Sequence, residues 1–305
     1  MARKPALPIY IRPMLAQSGQ PFDSDEYLFE VKWDGTRALA FVEDGGYRLV
    51  NRRQIDMTER YPEFEFLADL PPGTVLDGEI VVLDGGKPDF NRLLSREQSR
   101  SPLRIRSMAK TMPATYIVFD QLFQDHRSLL NKPLLERRSR LAETVRRSRS
   151  KSRLVFSEGV VGAGEAFFQQ VADQGLEGVV AKRMSSRYLP GKRTSAWIKI
   201  KRTNRICCAI IGFLPAGKDD FRSLILASDD DAGLQLIGKV GTGFDQKLRD
   251  RINSLLWGQL QDRPMIHCRE RAKWVEPGLY CWVSYLERTK NGELRAPVFE
   301  SLELG

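Results

Sequence analysis

Short runs of alternating or β-branched apolar residues dominate the first two hundred positions and predict strands. Residues 27–31 and 38–42 are two such runs, separated by the tight polar stretch Trp33-Asp34-Gly35. Because Asp-Gly between two strands is a hairpin signal, we predict a hairpin with Lys32 at its rigid strand end. Taken alone, a lysine beside such a turn is more often an ordinary surface residue.

The same patterns continue along the chain and change character near Arg205. The apolar stripe that follows Pro133 predicts a helix, and residues 164–174 predict another. After Arg205, five short strands and one helix (246–260) suit a small β-barrel of the oligonucleotide-binding type. The pattern therefore predicts an α+β protein whose domains comprise residues 1–202 and 203–305. The remaining predicted strands are 47–52, 74–83, 115–120, 178–182, 196–201, 208–214, 221–227, 235–240, 279–287 and 294–299.

The charge of the chain indicates a polyanionic partner. A formal charge of +9 and a pI near 9.4 fit nucleic acid, although basic proteins without such a partner exist. Residues 95–112 predict an exposed basic connection. The helix after Pro133 and its following loop are also basic, and a solvated charged face is the favoured interpretation there. Its cations are Arg137, Arg138, Arg140, Arg146, Arg147, Arg149, Lys151 and Arg153.

Composition excludes several other classes of protein. No apolar run is long enough to span a membrane, and no hydrophobic segment near Met1 suits a secretory signal. The four cysteines indicate neither a disulfide framework nor a zinc site. We therefore expect a cytoplasmic protein with no membrane partner.

Charged or aromatic residues recur at the ends of the predicted strands. Each has an ordinary explanation by itself, such as a surface acid, a core aromatic ring or the wet face of a strand. Because these residues occur in this order, and each lies within its own short motif, coincidence does not explain the pattern well. These residues are Lys32, Arg37, Arg52, Glu79, Phe119, Glu177, Lys199 and Lys201.

The motifs resemble those of the ATP-dependent DNA ligases within the covalent nucleotidyltransferase superfamily. The chain is most similar to the ligase domain of bacterial multifunctional end-joining enzymes, and the resemblance covers nearly its whole length. It implies a nucleotidyltransferase (adenylation) domain of antiparallel sheets with flanking helices, followed by an OB-fold barrel. The matching motifs are Lys32-Trp33-Asp34-Gly35, Asn51-Arg52, Asp77-Gly78-Glu79, Phe119-Asp120, Glu177-Gly178-Val179-Val180-Ala181-Lys182 and Trp197-Ile198-Lys199-Ile200-Lys201.

The resemblance implies a role for each motif residue. Lys32 would attack the α-phosphate of ATP, and the cations of Lys199 and Lys201 would favour its neutral amine and hold the phosphate. Glu177 and Glu79 would bind Mg²⁺ or Mn²⁺, which prefer oxygen ligands. Arg52 and Glu79 would bind the ribose, Phe119 would stack on adenine, Glu30 and Val31 would lie near the base, and Arg37 would bind the 5′-phosphate of the nick.

The resemblance fails at the last motif of the family, which usually ends in Arg-x-Asp-Lys. Here the run from Leu294 to Phe299 is followed by Glu300-Ser301-Leu302-Glu303-Leu304-Gly305. Three outcomes are open for the adenylation of Lys32. Arg288, Lys290 or Arg295 substitutes for the missing motif residues, or the step is slow, or another chain assists it. With no further domain evident, we expect a minimal stand-alone ligase.

Two other functions stay open at this point. An RNA ligase or a GTP-using capping enzyme would use the same lysine and strand motifs. A catalytically weak nucleic-acid-binding accessory protein would fit the basic charge and the altered last motif. On the ligase interpretation we expect a nucleoid-associated monomer that acts in DNA repair on nicked or broken double-stranded DNA, with a Ku-type end-binding protein left open as a further partner.

Overall fold

The computed structural model describes residues 5–148, 152–217, 220–230, 233–266, 268, 271–276, 278–289 and 291–304. The chain divides into two compact units, Met1–Lys201 and Arg202–Gly305.

In the described residues of the first unit there are twelve strands and four α-helices. They are β1 (Leu15–Ser18), β2 (Ser24–Val31), β3 (Thr36–Glu43), β4 (Gly46–Asn51), β5 (Thr74–Asp84), β6 (Lys87–Pro88), α1 (Phe90–Gln98), α2 (Pro102–Thr111), β7 (Ala114–Gln124), β8 (Arg127–Ser128), α3 (Leu134–Arg147), β9 (Leu154–Phe156), β10 (Gly159–Gly162), α4 (Gly164–Asp173), β11 (Gly178–Arg183) and β12 (Arg193–Lys201). Two short 3₁₀ segments, Thr58–Arg60 and Pro62–Asp69, precede β5.

These strands form two sheets. The five-stranded sheet has the order β1-β12-β11-β2-β10, and the seven-stranded sheet has the order β4-β3-β5-β7-β8 with β6 on β5 and β9 on β7. Their pairings are antiparallel except for β1 with β12 and β7 with β9. The predicted antiparallel sheets are therefore confirmed, with one parallel strand added to each.

The predicted hairpin around Lys32 is wrong. β2 belongs to the five-stranded sheet and β3 to the seven-stranded sheet, so the chain crosses between sheets directly after Lys32. A type I′ hairpin turn needs positive φ at both central residues, and neither Asp34 nor Gly35 has it. Gly35 serves another purpose, because a Cβ there would lie 2.2 Å from the carbonyl oxygen of Ile80 on β5.

The predicted connection at 95–112 is basic and largely exposed, but most of this segment is helical, which was not predicted. The side chain of Asp89 accepts a hydrogen bond from the amide of Arg92, and that of Ser101 accepts one from Arg104. These N-caps, and Pro102 at the first position of α2, explain why the two helices begin there. None of the helices within the described ranges is both long enough and apolar enough to cross a membrane.

The part of the second unit that the structure describes contains one antiparallel sheet and one helix. Its strands pack on two apolar clusters, one of which also includes residues of the helix. Backbone hydrogen bonds from Leu294 to Ile237 (2.7 Å) and from Phe299 to Thr242 (2.9 Å) join the two ends of the sheet. The unit comprises β13 (Asn204–Pro215), β14 (Phe221–Asp230), β15 (Gly233–Val240), α5 (Gln246–Trp257), β16 (Leu260–Gln261), β17 (Lys273–Val275), β18 (Leu279–Tyr285) and β19 (Val298–Leu304).

Two details of the predicted barrel differ from the structure. The short strands β16 and β17 were not predicted, since two or three residues carry too little pattern. The last strand lies at Val298–Leu304 and not at 294–299. Ala296 has a φ of 49°, and Pro297 has no amide hydrogen, so neither residue can continue a ladder.

Candidate functional site

Residues from both sheets of the first unit line a cavity of about 290 Å³, which we call the cleft. Nine of the ten predicted site residues line it, and Glu177 contacts two of those nine. Seven lining residues were not predicted. The lining comprises Leu15, Ala16, Glu30, Val31, Lys32, Trp33, Arg37, Arg52, Glu79, Phe119, Val180, Lys182, Arg193, Trp197, Lys199 and Lys201.

Strand register places the lysines at one end of the five-stranded sheet. The amide of Lys32 donates to the carbonyl of Gly178 at 2.8 Å, and Gly178 is also opposite Lys201 in the pairing of β11 with β12. Lys199 and Lys201 are two positions apart on β12, so both side chains lie on the same face of the sheet. The three lysines therefore meet because three neighbouring strands are in register.

Glu177 joins two of these lysines. Its carboxylate forms ion pairs with the ammonium of Lys32 and, at 2.9 Å, with that of Lys201. Burial by itself would raise the pKa of Glu177, but the two ammonium groups lower it below its ordinary value. The carboxylate is therefore held ionised beside Lys32.

Lys199 adds positive charge to this end of the cleft. Burial lowers its pKa, and the neighbouring cations of Lys201, Arg193 and Lys32 lower it further. Within the described residues no ion pair involves Lys199. One acid against four cations leaves this region positive, which suits a phosphate group.

Glu79 is a half-buried carboxylate on β5 that lines the cleft. Burial raises its pKa to about 8, although the charges of Arg37 and Lys32 oppose that shift. No hydrogen bond or ion pair is found for its carboxylate among the residues that the structure describes. Glu79 is thus a free acceptor whose charge changes near neutral pH.

Arg37 lies in the cleft wall, with most of its guanidinium already bonded. Nε and Nη2 donate to the two carboxylate oxygens of Asp77 at 2.9 and 2.6 Å, and Nη1 donates to the carbonyl of Met14 at 2.7 Å. Nη2 also donates, at 3.4 Å, to the hydroxyl of Tyr188. A guanidinium has five N–H donors, so one on Nη1 has no acceptor among the described residues and is available for a ligand.

Lys182 is one of the seven lining residues that were not predicted as site residues. It is 2 % exposed, and its ammonium lies 3.0 Å from a carboxylate oxygen of Glu30 and 4.0 Å from the ring centroid of Phe119. Burial lowers its pKa, and the nearby Arg138 lowers it further, whereas Glu30 opposes the shift. The sequence did contain a signal for this position, because side chains alternate between the two faces of a strand. Lys182 therefore lies on the same face of β11 as Val180, which also lines the cleft.

The prediction of a solvated basic face on α3 is wrong for two of its arginines. Arg137 is fully buried and binds both carboxylate oxygens of Asp120 at 2.7 and 2.8 Å. Arg138 donates to Glu30 at 2.7 Å and to the carbonyl of Ser157 at 2.7 Å. Arg138 therefore helps to fix the floor of the cleft. Arg149 and Lys151 lie outside the described residues.

The other predicted residues have less elaborate surroundings. Arg52 follows β4 and is exposed at the cleft, and Val31 ends β2. In the second unit, Arg295 pairs with Glu287 at 2.6 Å, and Glu303 lies on β19. Lys290 lies outside the described residues.

Comparison with known proteins gives matches along most of the chain. Residues 13–201 match the model of the ATP dependent DNA ligase domain, and residues 217–303 match that of the ATP dependent DNA ligase C terminal region. The predicted fold class, a nucleotidyltransferase domain with an OB-fold, is confirmed by these matches and the sheets described above.

Individual relatives extend this comparison. The chain is 32 % identical to the multifunctional non-homologous end joining protein LigD of Mycolicibacterium smegmatis and 33 % identical to that of Pseudomonas aeruginosa, over 98 % of its own length. It spans only 39 % and 36 % of those relatives. The SPbeta prophage-derived DNA ligase-like protein LigB of Bacillus subtilis is 30 % identical, with 96 % of this chain and 99 % of that protein covered.

Solved structures also match. The mycobacterial DNA ligase D complexed with ATP and MES is 31 % identical with a TM-score of 0.58, and the match covers 96 % of this chain and 95 % of that one. A Lig E DNA ligase structure, at 21 % identity over 95 % of this chain and 98 % of that chain, has a TM-score of 0.67 and shares the fold.

Proposed function

Because this chain belongs to the family of ATP-dependent DNA ligases, we propose that it joins 5′-phosphate and 3′-hydroxyl ends in duplex DNA through a lysyl-AMP intermediate on Lys32. The resemblance inferred from its motifs is confirmed by the family matches. The observation that carries the proposal is the meeting of Lys32, Glu177, Lys199 and Lys201 at one end of the cleft.

In the first step the amine of Lys32 attacks the α-phosphate of ATP. A phosphoramidate bond forms between Nζ and phosphorus, the bond to the β-phosphate breaks, and pyrophosphate leaves. Lys199 and Lys201 hold the α-phosphate oxygens and offset their growing charge. Lys32 attacks as the neutral amine, so its ammonium must first release a proton to the solvent. The amine can keep one hydrogen bond to Glu177 while its lone pair attacks.

The nucleoside part of ATP occupies the inner cleft. Phe119 packs against the adenine ring, Glu30 and Val31 lie beside the base, and Arg52 and Glu79 bind the ribose hydroxyls. Their shared position along one cavity supports these roles. The free N–H donor of Arg37 then binds the 5′-phosphate of the DNA, which accepts AMP before the 3′-hydroxyl displaces it.

A divalent cation fits the donors that are present. The described residues contain no group of three or more His, Cys, Asp or Glu side chains that could hold a metal. Mg²⁺ commonly binds through one or two carboxylates together with substrate phosphates, and Glu177 and Glu79 provide such carboxylates. Mg²⁺ or Mn²⁺ bound there would offset phosphate charge.

The wider role is inferred from the relatives. We propose that residues 1–202 act as the adenylation domain and 203–305 as the OB-fold domain of a monomer that works in DNA repair at the nucleoid, with a Ku-type protein as a candidate partner. The end-joining names of the LigD relatives support this role, and the present chain matches about two fifths of those proteins.

The test is incubation with α-³²P-ATP and Mg²⁺ or Mn²⁺, followed by denaturation. We expect wild-type protein to retain label and Lys32→Ala to retain none. Lys132→Ala, which changes an exposed lysine paired with Glu136, is the matched control and should be labelled normally. Intact mass before and after pyrophosphate treatment detects protein that was purified already adenylated.

Two further assays separate the alternatives. Labelling by GTP and not by ATP would contradict the ligase proposal. A pre-adenylated nick that the protein seals without ATP would show that the last step works independently of the altered terminal motif. Binding without any sealing of that nick would instead favour the accessory role.

A further inference from the structure

The hydroxyl group of Tyr188 lies where three segments of the first unit meet beside the cleft. Tyr188 is 1 % exposed, so its side chain contacts other residues of the protein rather than a ligand. It lies between β11 and β12 of the five-stranded sheet, and Met14 directly precedes β1. Arg37 and Asp77 lie on β3 and β5 of the seven-stranded sheet. The hydroxyl therefore connects parts of the two sheets.

The hydrogen bonds of this hydroxyl use its whole capacity, which is one donor and two acceptor positions. It donates to a carboxylate oxygen of Asp77 at 2.7 Å. It accepts from the amide of Met14 at 3.0 Å and from Nη2 of Arg37 at 3.4 Å. Loss of the hydroxyl would therefore leave each of the three partners one bond short.

Both anchors of Arg37 depend on this hydroxyl. The guanidinium is held by the carboxylate of Asp77 through Nε and Nη2, and by the carbonyl of Met14 through Nη1. Tyr188 binds that carboxylate directly, and it also binds the amide of the same Met14. A long side chain keeps its direction only while its own partners are fixed. The direction of the available N–H on Nη1 therefore depends on Tyr188.

The aromatic ring of Tyr188 makes a separate contact with the cleft wall. Its centroid lies 5.8 Å from the ring of Trp197, edge to face at 86°, and Trp197 lines the cleft. The guanidinium carbon of Arg37 lies 5.3 Å from the same Trp197 ring. A change that removes the hydroxyl and keeps the ring therefore separates the hydrogen bonds from the packing.

We propose that Tyr188 is a positioning residue that holds Arg37 in the direction needed to bind the 5′-phosphate of the DNA. The proposal rests on the proposed ligase function, in which Arg37 binds that phosphate after Lys32 has been adenylated. In the last step the 3′-hydroxyl oxygen bonds to phosphorus and gives its proton to water, and AMP leaves with the electrons of the broken bond. Tyr188 touches none of these reacting groups and acts through Arg37.

The test compares the first and the last step of the reaction in Tyr188→Phe. Labelling of Lys32 by ATP needs no DNA and should proceed as in wild type, since Arg37 acts after it. Single-turnover sealing of a pre-adenylated nick should slow by roughly 2- to 13-fold, the range that corresponds to the loss of one hydrogen bond. A general loss of structure would slow both steps.

Tyr27→Phe is the matched control. Tyr27 is 6 % exposed in the same unit, and its hydroxyl donates to the carbonyl of Ser195 at 3.2 Å and accepts from Nη2 of Arg183 at 3.1 Å. This variant loses the same kinds of hydrogen bond, but from an arginine that pairs with the exposed Glu26. It should seal the pre-adenylated nick at the wild-type rate.

A double variant tests whether Tyr188 acts through Arg37. In an Arg37→Lys background, Tyr188→Phe should slow sealing little further, because a lysine has no planar fork for Asp77 and Met14 to orient. The full effect of Tyr188→Phe in that background would overturn the proposal. So would unchanged sealing in Tyr188→Phe, an equal loss in Tyr27→Phe, or an equal slowing of Lys32 labelling. Failure of wild-type protein to seal the pre-adenylated nick would instead overturn the proposed function.

Discussion

Replacing Glu30 with glutamine removes a carboxylate that two buried cations share. Glu30 is 1 % exposed, and its two oxygens lie 2.7 Å from Arg138 and 3.0 Å from Lys182. Both cations would remain in the floor of the cleft without the acid between them. Breaking a buried pair from one side costs about 3–5 kcal/mol, because an uncompensated charge is left in the interior.

The loss of stability in Glu30→Gln should depend on pH because Lys182 can lose its proton. Burial already lowers its pKa, Arg138 lowers it further, and loss of Glu30 removes an opposing influence. In Glu30→Gln the pKa of Lys182 in the folded protein therefore falls further below its ordinary value, whereas the unfolded chain keeps the proton up to a pH of about 10.4. Stability of the variant should rise with pH below that value, by at most about 1.4 kcal/mol per pH unit.

Urea unfolding of the whole chain between pH 7 and 10, followed by tryptophan fluorescence, measures both effects. Two transitions should be fitted because the chain has two compact units. Only the transition of the first unit, which contains Glu30, should shift. Glu26→Gln is the matched control, since Glu26 lies on the same strand but forms an exposed pair with Arg183.

A second variant identifies the titrating group. Glu30→Gln/Lys182→Met has no ammonium at this place, so the added pH dependence should disappear. The reasoning is refuted if Glu30→Gln unfolds like Glu26→Gln, or if the pH dependence persists in the double variant.

The remaining predictions concern the crossing after Lys32 and the free carboxylate of the cleft. Gly35→Ala should destabilise the first unit by about 1–3 kcal/mol and slow adenylation, since its Cβ would meet Ile80, whereas Gly46→Ala has nothing within 4 Å and should change neither quantity. Glu79 has a pKa of about 8, so its carboxylate form increases as pH rises through that value. The adenylation rate of the wild type should therefore rise between pH 7 and 9. If Glu79→Gln showed the same rise, the pH dependence would belong to another group.

The sequence alone identified most strands and nine of the sixteen residues that line the cleft. The β-branched run at 74–83 predicted β5 within one residue, because alternation and β-branching are local properties of the chain. The motif order identified Lys32, Glu79, Phe119 and Lys199 before any contact was known. Their roles in the reaction stay predictions.

Tertiary structure decided which strands pair and which charges are buried. Asp34-Gly35 looked like a hairpin turn, yet the flanking strands join different sheets, because pairing is set by long-range packing and not by the turn alone. From the sequence, Arg138 was interpreted as part of a solvated basic face, and Lys182 was given no individual role. Each is buried only because Glu30, more than a hundred residues away in the chain, supplies the opposite charge. A local pattern does not record such a partner, so the fold was needed to find it.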